Sequence, residues 1–270
     1  KAALRSSIDD AICTGDFVRN NWSSDFGFWD RASDGSILTC IGNHDVILPE
    51  ATDYAVQPSE AALYRRYIGP YIGKWGSDVS HEGSNLYYYK DYPAKRVRII
   101  ALDCMNHTAA QLEWLRTTLV GAANSGLSVA IAYHCGPSAD YRRVDCCFMG
   151  FSIYNSMYAA YPWAAAVAAV DGFKQGTLDG QTAAGDFICW LTGHSHKDYV
   201  LWVNDSQLVI GIDCMQYNAN NRDHVLSRND KSQDLFNIVA LDTYRHTVKL
   251  LRVGNDTDYQ LRHISQCCIR

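Results

Sequence analysis

Short apolar runs in this sequence are followed at once by side chains that can bind a metal ion. These side chains mix carboxylate, amide and imidazole groups, a combination that suits borderline divalent ions of the Mn, Fe or Zn class. Glycines stand beside several of them and would allow the backbone to turn sharply there. The set is Asp16, Asn43, His44, Asp45, His134, His194 and His196.

Taken one at a time, these residues carry little information. Asp16 alone is typical of a turn at the end of a strand, and Asp45 alone could cap a helix. His134 alone is more often a packed core histidine. Each of these residues follows an apolar run. Their order along the chain therefore favours a metal site over these simpler interpretations.

The apolar runs predict buried strands, and helical patterns lie between some of them. This alternation predicts an α/β fold. Because the polar residues follow the strands, we expect them to gather outside the carboxyl ends of the strands, along one edge of a sheet. The predicted strands cover residues 11–14, 37–41, 97–102, 129–133 and 187–191, and the predicted helices cover residues 111–119 and 159–173.

The sequence changes character after residue 197. Short strands at residues 199–203, 208–212, 236–241 and 247–253 are joined by turn-like stretches. They predict an antiparallel meander that belongs to a second sheet. We find no repeat and no linker, so residues 1–270 are predicted to form a single domain, with residues 137–185 as a cap or insert within it.

The composition of the chain argues against two classes of function, general nucleic-acid binding and membrane spanning. The formal net charge of −5 over 270 residues gives no reason to expect general nucleic-acid binding, and no apolar stretch predicts a membrane span. The ten cysteines include several within apolar runs. We expect them to be reduced, which favours a cytoplasmic location. Disulfides among the loop cysteines are the alternative.

Four blocks in order resemble the calcineurin-like metallophosphoesterase family. They are Gly-Asp at 15–16, Gly-Asn-His-Asp at 42–45, the strand-end His134, and Gly-His-Ser-His at 193–196. The resemblance covers nearly the whole chain. It implies a four-layer α/β/β/α sandwich with two mixed sheets. It also implies a dinuclear metal site that hydrolyses a phosphate mono- or diester, or a nucleotide, by attack of a metal-bound hydroxide.

The resemblance also implies a role for each matching residue. Asp16 would bridge two divalent ions. The coordination of the first ion would be completed by Asn43, His134 and His194, and His196 would help to hold the second ion. His44 would donate a proton to the leaving oxygen, oriented by Asp45. Outside the blocks, Arg142 and Arg143 could bind a substrate phosphate, although a solvated charged loop is the competing interpretation.

One family block is absent, because no Asp-x-His occurs in the sequence. That block supplies the other ligands of the ion held by His196. We expect the strand that carries it to precede Lys1, with residues 1–8 as the end of the following helix, and we expect weak occupancy in the chain as given. The alternatives are a non-catalytic binding module that keeps one metal site, and a mononuclear hydrolase of another bond.

Overall fold

The computed structural model describes eight stretches of the chain. For residues 163, 235, 252–254 and 265–268 it describes the backbone alone. The described stretches are residues 8–17, 36–46, 59–103, 108–137, 163–194, 199–212, 235–254 and 265–268.

A seven-stranded mixed sheet forms the centre of the molecule. Its order is β3-β4-β5-β6-β7-β9-β8, and the four strands β5, β6, β7 and β9 are mutually parallel. Every residue of β5, β6 and β7 is buried, as expected for parallel strands covered on both faces. The strands are β3 (Val79–Ser80), β4 (Tyr88–Tyr92), β5 (Val97–Leu102), β6 (Ser128–Tyr133), β7 (Phe187–Thr192), β8 (Tyr199–Val203) and β9 (Gln207–Gly211).

Helices join the parallel strands. The short helix α1 (Glu60–Leu63) precedes the sheet, α2 (Ala109–Asn124) connects β5 to β6, and α3 (Trp163–Gln175) precedes β7. The last two pack on each other, α2 also contacts β6, and α3 contacts β7. Leu115 and Leu119 of α2 are buried, which confirms the apolar face expected from their spacing. None of the helices described is long and apolar enough to cross a membrane.

Two smaller sheets complete the described structure. Strands β1 (Ile12–Cys13) and β2 (Leu38–Thr39) form a parallel pair. Strands β10 (Leu235–Asp242), β11 (Thr247–Gly254) and β12 (Ser265–Cys268) form an antiparallel sheet. This sheet covers the core with one face, to which Val239, Leu241, Val248 and Leu250 belong.

The α/β class is confirmed, and one topological expectation is wrong. The hairpin of β8 and β9 does not join β10 and β11 in a second sheet. Instead β9 pairs in parallel with β7 and extends the central sheet. The reason is that β9 is wholly buried and, apart from Gln207, has no polar side chain, as expected for a parallel strand covered on both faces. Residues 1–7 and the whole of the stretch 138–162 lie outside the described residues.

Candidate metal centre

Strand ends bring four of the predicted ligands together. His134 directly follows β6, and His194 follows β7 after one glycine. Because these strands are adjacent and parallel, both histidines lie at the same edge of the central sheet. Asp16 and Asn43 follow β1 and β2, which are also parallel to each other. The predicted gathering of ligands is therefore what the described residues show.

The distances between the donor atoms match a single coordination sphere. Asn43 Oδ1 lies 3.0 Å from His134 Nε2 and 2.9 Å from His194 Nδ1. Asp16 Oδ2 lies 3.3 Å from His134 Nε2. Two donors bound about 2.1 Å from one ion, at angles between octahedral and tetrahedral, are separated by about 3.0–3.4 Å. The four side chains thus surround a space of the size that one divalent ion needs.

The Nδ1 atom of His134, which points away from Asn43, forms a hydrogen bond. This hydrogen bond explains why a cation fits beside the other ring nitrogen, Nε2. His134 Nδ1 donates to the backbone carbonyl of Thr14 at 2.6 Å. A neutral imidazole with its proton on Nδ1 presents a lone pair at Nε2. That lone pair faces the oxygens of Asn43 and Asp16, which are also acceptors, so positive charge is needed there, supplied either by a second proton on His134 or by a bound cation. A histidine ligand oriented by a backbone carbonyl is a common arrangement in metal sites.

The electrostatics of Asp16 agree with this arrangement. Burial alone would raise the pKa of its carboxyl, but the nearby His134 and His44 imidazoles and the hydrogen bonds to it outweigh burial. They hold the pKa well below its usual range. Asp16 is therefore an anionic carboxylate facing two imidazoles.

Two of the ligands have an unusual backbone conformation. Asp16 has φ 60° and His194 has φ 66°, both in the left-handed region. Aspartate and histidine occupy this region more often than most other residues with a side chain, but it is uncommon for both. Such strain is found where a binding site requires it, at a cost of about 1–3 kcal/mol per residue. No pattern in the sequence indicates this backbone conformation.

Glycines allow the loops to approach each other closely, whereas the prediction for them was a sharp turn of the backbone. A Cβ on Gly42 would lie 2.2 Å from Asp16 Oδ1, and one on Gly15 would lie 2.6 Å from His134 Nδ1. At Gly193 the same atom would come within 2.9 Å of Thr14 Oγ1. Only Gly15 of these three has a positive φ, at 102°. Gly42 and Gly193 are needed for space and not for a turn.

The Asp45 carboxylate ties the two loops of the site together. Its Oδ2 accepts from the amides of Asp16 and Gly42 at 2.9 and 2.8 Å, and its Oδ1 accepts from Phe17 at 2.8 Å. The side chain is fully buried. Burial raises the pKa of this carboxyl and the Asp16 charge adds to the rise, while the backbone donors oppose it. These contacts give Asp45 a structural task beside the predicted orientation of His44.

His44 lies at the rim of the site. Its amide donates to Asp16 Oδ1 at 2.9 Å, and its side chain is close enough for its charge to lower the pKa of Asp16. Unlike Asn43 and Asp45, it is only partly buried. The other predicted site residues, His196, Arg142 and Arg143, lie outside the described residues.

One neighbour of the site was not predicted. The Cys135 thiol is buried and lies with the His134 and His194 imidazoles in a group whose donor atoms are all within 4.8 Å of one another. Its position directly after a strand-end histidine was the signal that could have identified it.

Comparison with known proteins supports the fold. No family model and no curated protein matches the chain. Among solved structures, a dimetal phosphatase from Danio rerio is similar, with a TM-score of 0.54 at 13% identity, over 98% of this chain and 85% of that one. At this identity the likeness shows a shared fold. A structure titled "Putative 5'-Nucleotidase" from Staphylococcus aureus matches with a TM-score of 0.42 at 14% identity, covering 99% of this chain and 46% of that one.

Proposed function

We propose that this protein is a metal-dependent phosphoesterase that hydrolyses a phosphate mono- or diester. The observation that carries the proposal is the convergence of acceptor atoms from Asp16, Asn43 and His134, with His194 Nδ1 beside them, at 2.9–3.3 Å. The fold, shared with a dimetal phosphatase from Danio rerio, supports it. The finer statement, a dinuclear site of calcineurin-like type, rests on the ordered sequence blocks.

The described residues would hold the first ion. Asp16 supplies a carboxylate oxygen, Asn43 an amide oxygen, and His134 and His194 an imidazole nitrogen each. His196 would contribute to a second ion, with Asp16 shared between the two. When bound, a pair of divalent ions would supply Lewis-acid activation of water and neutralise the charge of the phosphate.

His44 is proposed as the proton donor to the leaving oxygen. Its partly buried position beside Asp16 leaves it accessible to a substrate, and an imidazole has a pKa near neutrality that suits acid catalysis. Arg142 and Arg143 are proposed to bind the phosphate, because a guanidinium forms paired hydrogen bonds to phosphate oxygens.

The proposal is tested by measuring the turnover of aryl phosphates, first by protein treated with a chelator and then by protein reloaded with metal. Para-nitrophenyl phosphate and its bis ester are assayed after chelator treatment and after reloading with Mn²⁺, Fe²⁺ or Zn²⁺. We expect Asn43→Ala to lose both metal and turnover. His44→Ala should keep the metal and lose turnover by about 10²–10⁴-fold, the usual contribution of a general acid.

His246→Asn serves as the matched control. His246 is an exposed histidine with φ 51°, a conformation that asparagine tolerates, so this variant should keep both metal and turnover. Turnover that survives chelation, or is unchanged in Asn43→Ala, would contradict the proposal. Metal binding without turnover on any phosphate ester would instead favour the non-catalytic binding module.

A further inference from the structure

Cys135 differs from the other described cysteines in its surroundings. The four whose side chains are described, Cys13, Cys40, Cys135 and Cys189, are all thiols and not disulfides. Cys40, Cys135 and Cys189 are all part of the buried apolar core, and Cys13 donates to the carbonyl of Gly15. Of these, Cys135 is the one that groups with imidazoles, beside His134 and His194.

Backbone contacts of the two neighbouring residues, His134 and Gly136, hold Cys135 in place. His134, the preceding residue, accepts from the amide of Gly193 at 3.0 Å. On the other side, a Cβ on Gly136 would lie 2.6 Å from Thr192 Cγ2, so the chain there packs directly on the end of β7. Cys135 is therefore held against the turn that presents His194, with 4% of its surface exposed.

The separation of the three side chains is compatible with one ion. A sulfur about 2.3 Å and a nitrogen about 2.1 Å from the same ion are separated by about 3.1–4.4 Å, depending on the angle between them. The three donor atoms lie within 4.8 Å of one another. A shift of a few tenths of an ångström is thus sufficient. Among the residues described, no hydrogen bond engages the Cys135 thiol in another direction.

We propose that Cys135 is a thiolate ligand of the ion held by His134 and His194. This inference rests on the metal site of the proposed function and assigns it a ligand that the sequence blocks do not include. On binding, the ion replaces the thiol proton, which passes to solvent. Because a thiolate is a soft donor, the centre would favour Zn²⁺, Co²⁺ or Fe²⁺ over the harder Mg²⁺ and Mn²⁺.

Absorption spectra of the cobalt-loaded chain test the proposal. Co²⁺ bound to nitrogen and oxygen ligands gives visible d–d bands, and a thiolate adds a charge-transfer band in the near ultraviolet. We expect both in the wild type, with the charge-transfer band lost in Cys135→Ala and Cys135→Ser. Cys189→Ala removes a buried thiol outside the cluster and should keep it. His134→Ala should weaken both sets of bands, because it removes a shared ligand.

The outcomes separate this inference from the proposed function. Visible bands without the charge-transfer band in the wild type would overturn the Cys135 assignment and leave the metal centre standing. No cobalt bands at all would overturn both. A charge-transfer band that persists in Cys135→Ser would assign the thiolate to another cysteine and also overturn it.

A second measurement does not depend on the variants folding. X-ray absorption of the zinc-loaded wild type should show a sulfur scatterer at about 2.3 Å beside nitrogen and oxygen at about 2.0–2.2 Å. A spectrum that fits with nitrogen and oxygen alone would refute the ligand assignment.

Discussion

At the residue scale, two of the predicted ligands are held by groups outside the predicted ligand set. His134 is oriented by the Thr14 carbonyl, and the loop of Asp16 is fastened by the Asp45 carboxylate. Such supporting contacts explain how a small set of side chains can converge before any ion binds. They are made by backbone atoms and by a residue without direct contact to the proposed ion, so sequence patterns alone could not identify them.

The contacts of Asp45 predict a large loss of stability in Asp45→Asn. The amide has one oxygen to accept three backbone N–H groups, and its NH₂ group would face donors. Leaving a buried donor without an acceptor costs about 1–3 kcal/mol, so the free energy of unfolding in urea should fall by at least about that amount.

Asp242→Asn is the matched control for this prediction. Asp242 also accepts from two backbone amides, those of Tyr244 and Arg245, but at an exposed turn. Its replacement should cost much less than that of Asp45. If Asp45→Asn lost activity while its stability stayed unchanged, the main role of Asp45 would be to orient His44 and not to hold the loops together.

The strained conformation of His194 predicts a conflict between stability and binding. Asparagine is more tolerant of the left-handed region, so His194→Asn should leave the metal-free protein at least as stable as the wild type. It should lose most metal affinity, measured by calorimetric titration with Zn²⁺. A clear loss of metal-free stability would show that the His194 contact with Asn43 outweighs the strain.

At the element scale, parallel strands align the ligands and two tyrosines fix β2. The Tyr88 hydroxyl accepts from the amide of Thr39 at 2.8 Å and donates to its carbonyl at 3.0 Å. The Tyr67 backbone carbonyl accepts from the hydroxyl of Thr39 at 3.3 Å. Strand β4 of the central sheet and the segment before that sheet thus support the strand that leads to Asn43.

This support predicts that Tyr88→Phe lowers stability by about 1–3 kcal/mol, because the buried amide of Thr39 would lose its acceptor. Denaturant unfolding measures the change. Tyr244→Phe, at a residue that is 91% exposed, should have no measurable effect. Equal stability of the two variants would argue that water replaces the hydroxyl of Tyr88.

The close approach of the two loops predicts the effect of Gly42→Ala. Its Cβ would overlap the Asp16 backbone amide and carboxylate, so the loops must separate, and both stability and metal affinity should fall. Gly73→Ala is the control, because a Cβ there meets nothing within 4 Å. Thermal unfolding and metal titration compare the two. Wild-type metal affinity in Gly42→Ala would contradict the packing described above.

Strand positions could be predicted from the sequence more reliably than strand partners. The apolar runs identified β5 without error and β6 and β7 to within a residue. The pairing of β9 with β7 was missed, because the sequence of a short buried strand does not indicate which strand it pairs with. Four of the predicted ligands converge, but the approach of Cys135 depends on a turn after β6 that periodicity does not encode.

At the scale of the whole molecule, the site joins elements that otherwise belong to separate sheets. Asp16 and Asn43 follow the strand pair β1–β2, whereas His134 and His194 follow strands of the central sheet. Without an ion, the Asp16 carboxylate, the Asn43 amide oxygen and a neutral His134 present acceptors to one another. An ion bound by all four would therefore stabilise the folded chain and not only complete a catalytic centre.

Binding of Mn²⁺ should therefore raise the melting temperature. At 100 times its dissociation constant, a ligand of the folded state alone adds about 2.7 kcal/mol, which corresponds to about 5–10 °C for a domain of this size. Mn²⁺ is chosen because softer ions also bind the thiols of the unfolded chain, which reduces the effect. Differential scanning calorimetry should show this shift in the wild type and in His246→Asn but not in Asn43→Ala. An equal shift in Asn43→Ala would place the bound ion elsewhere in the molecule.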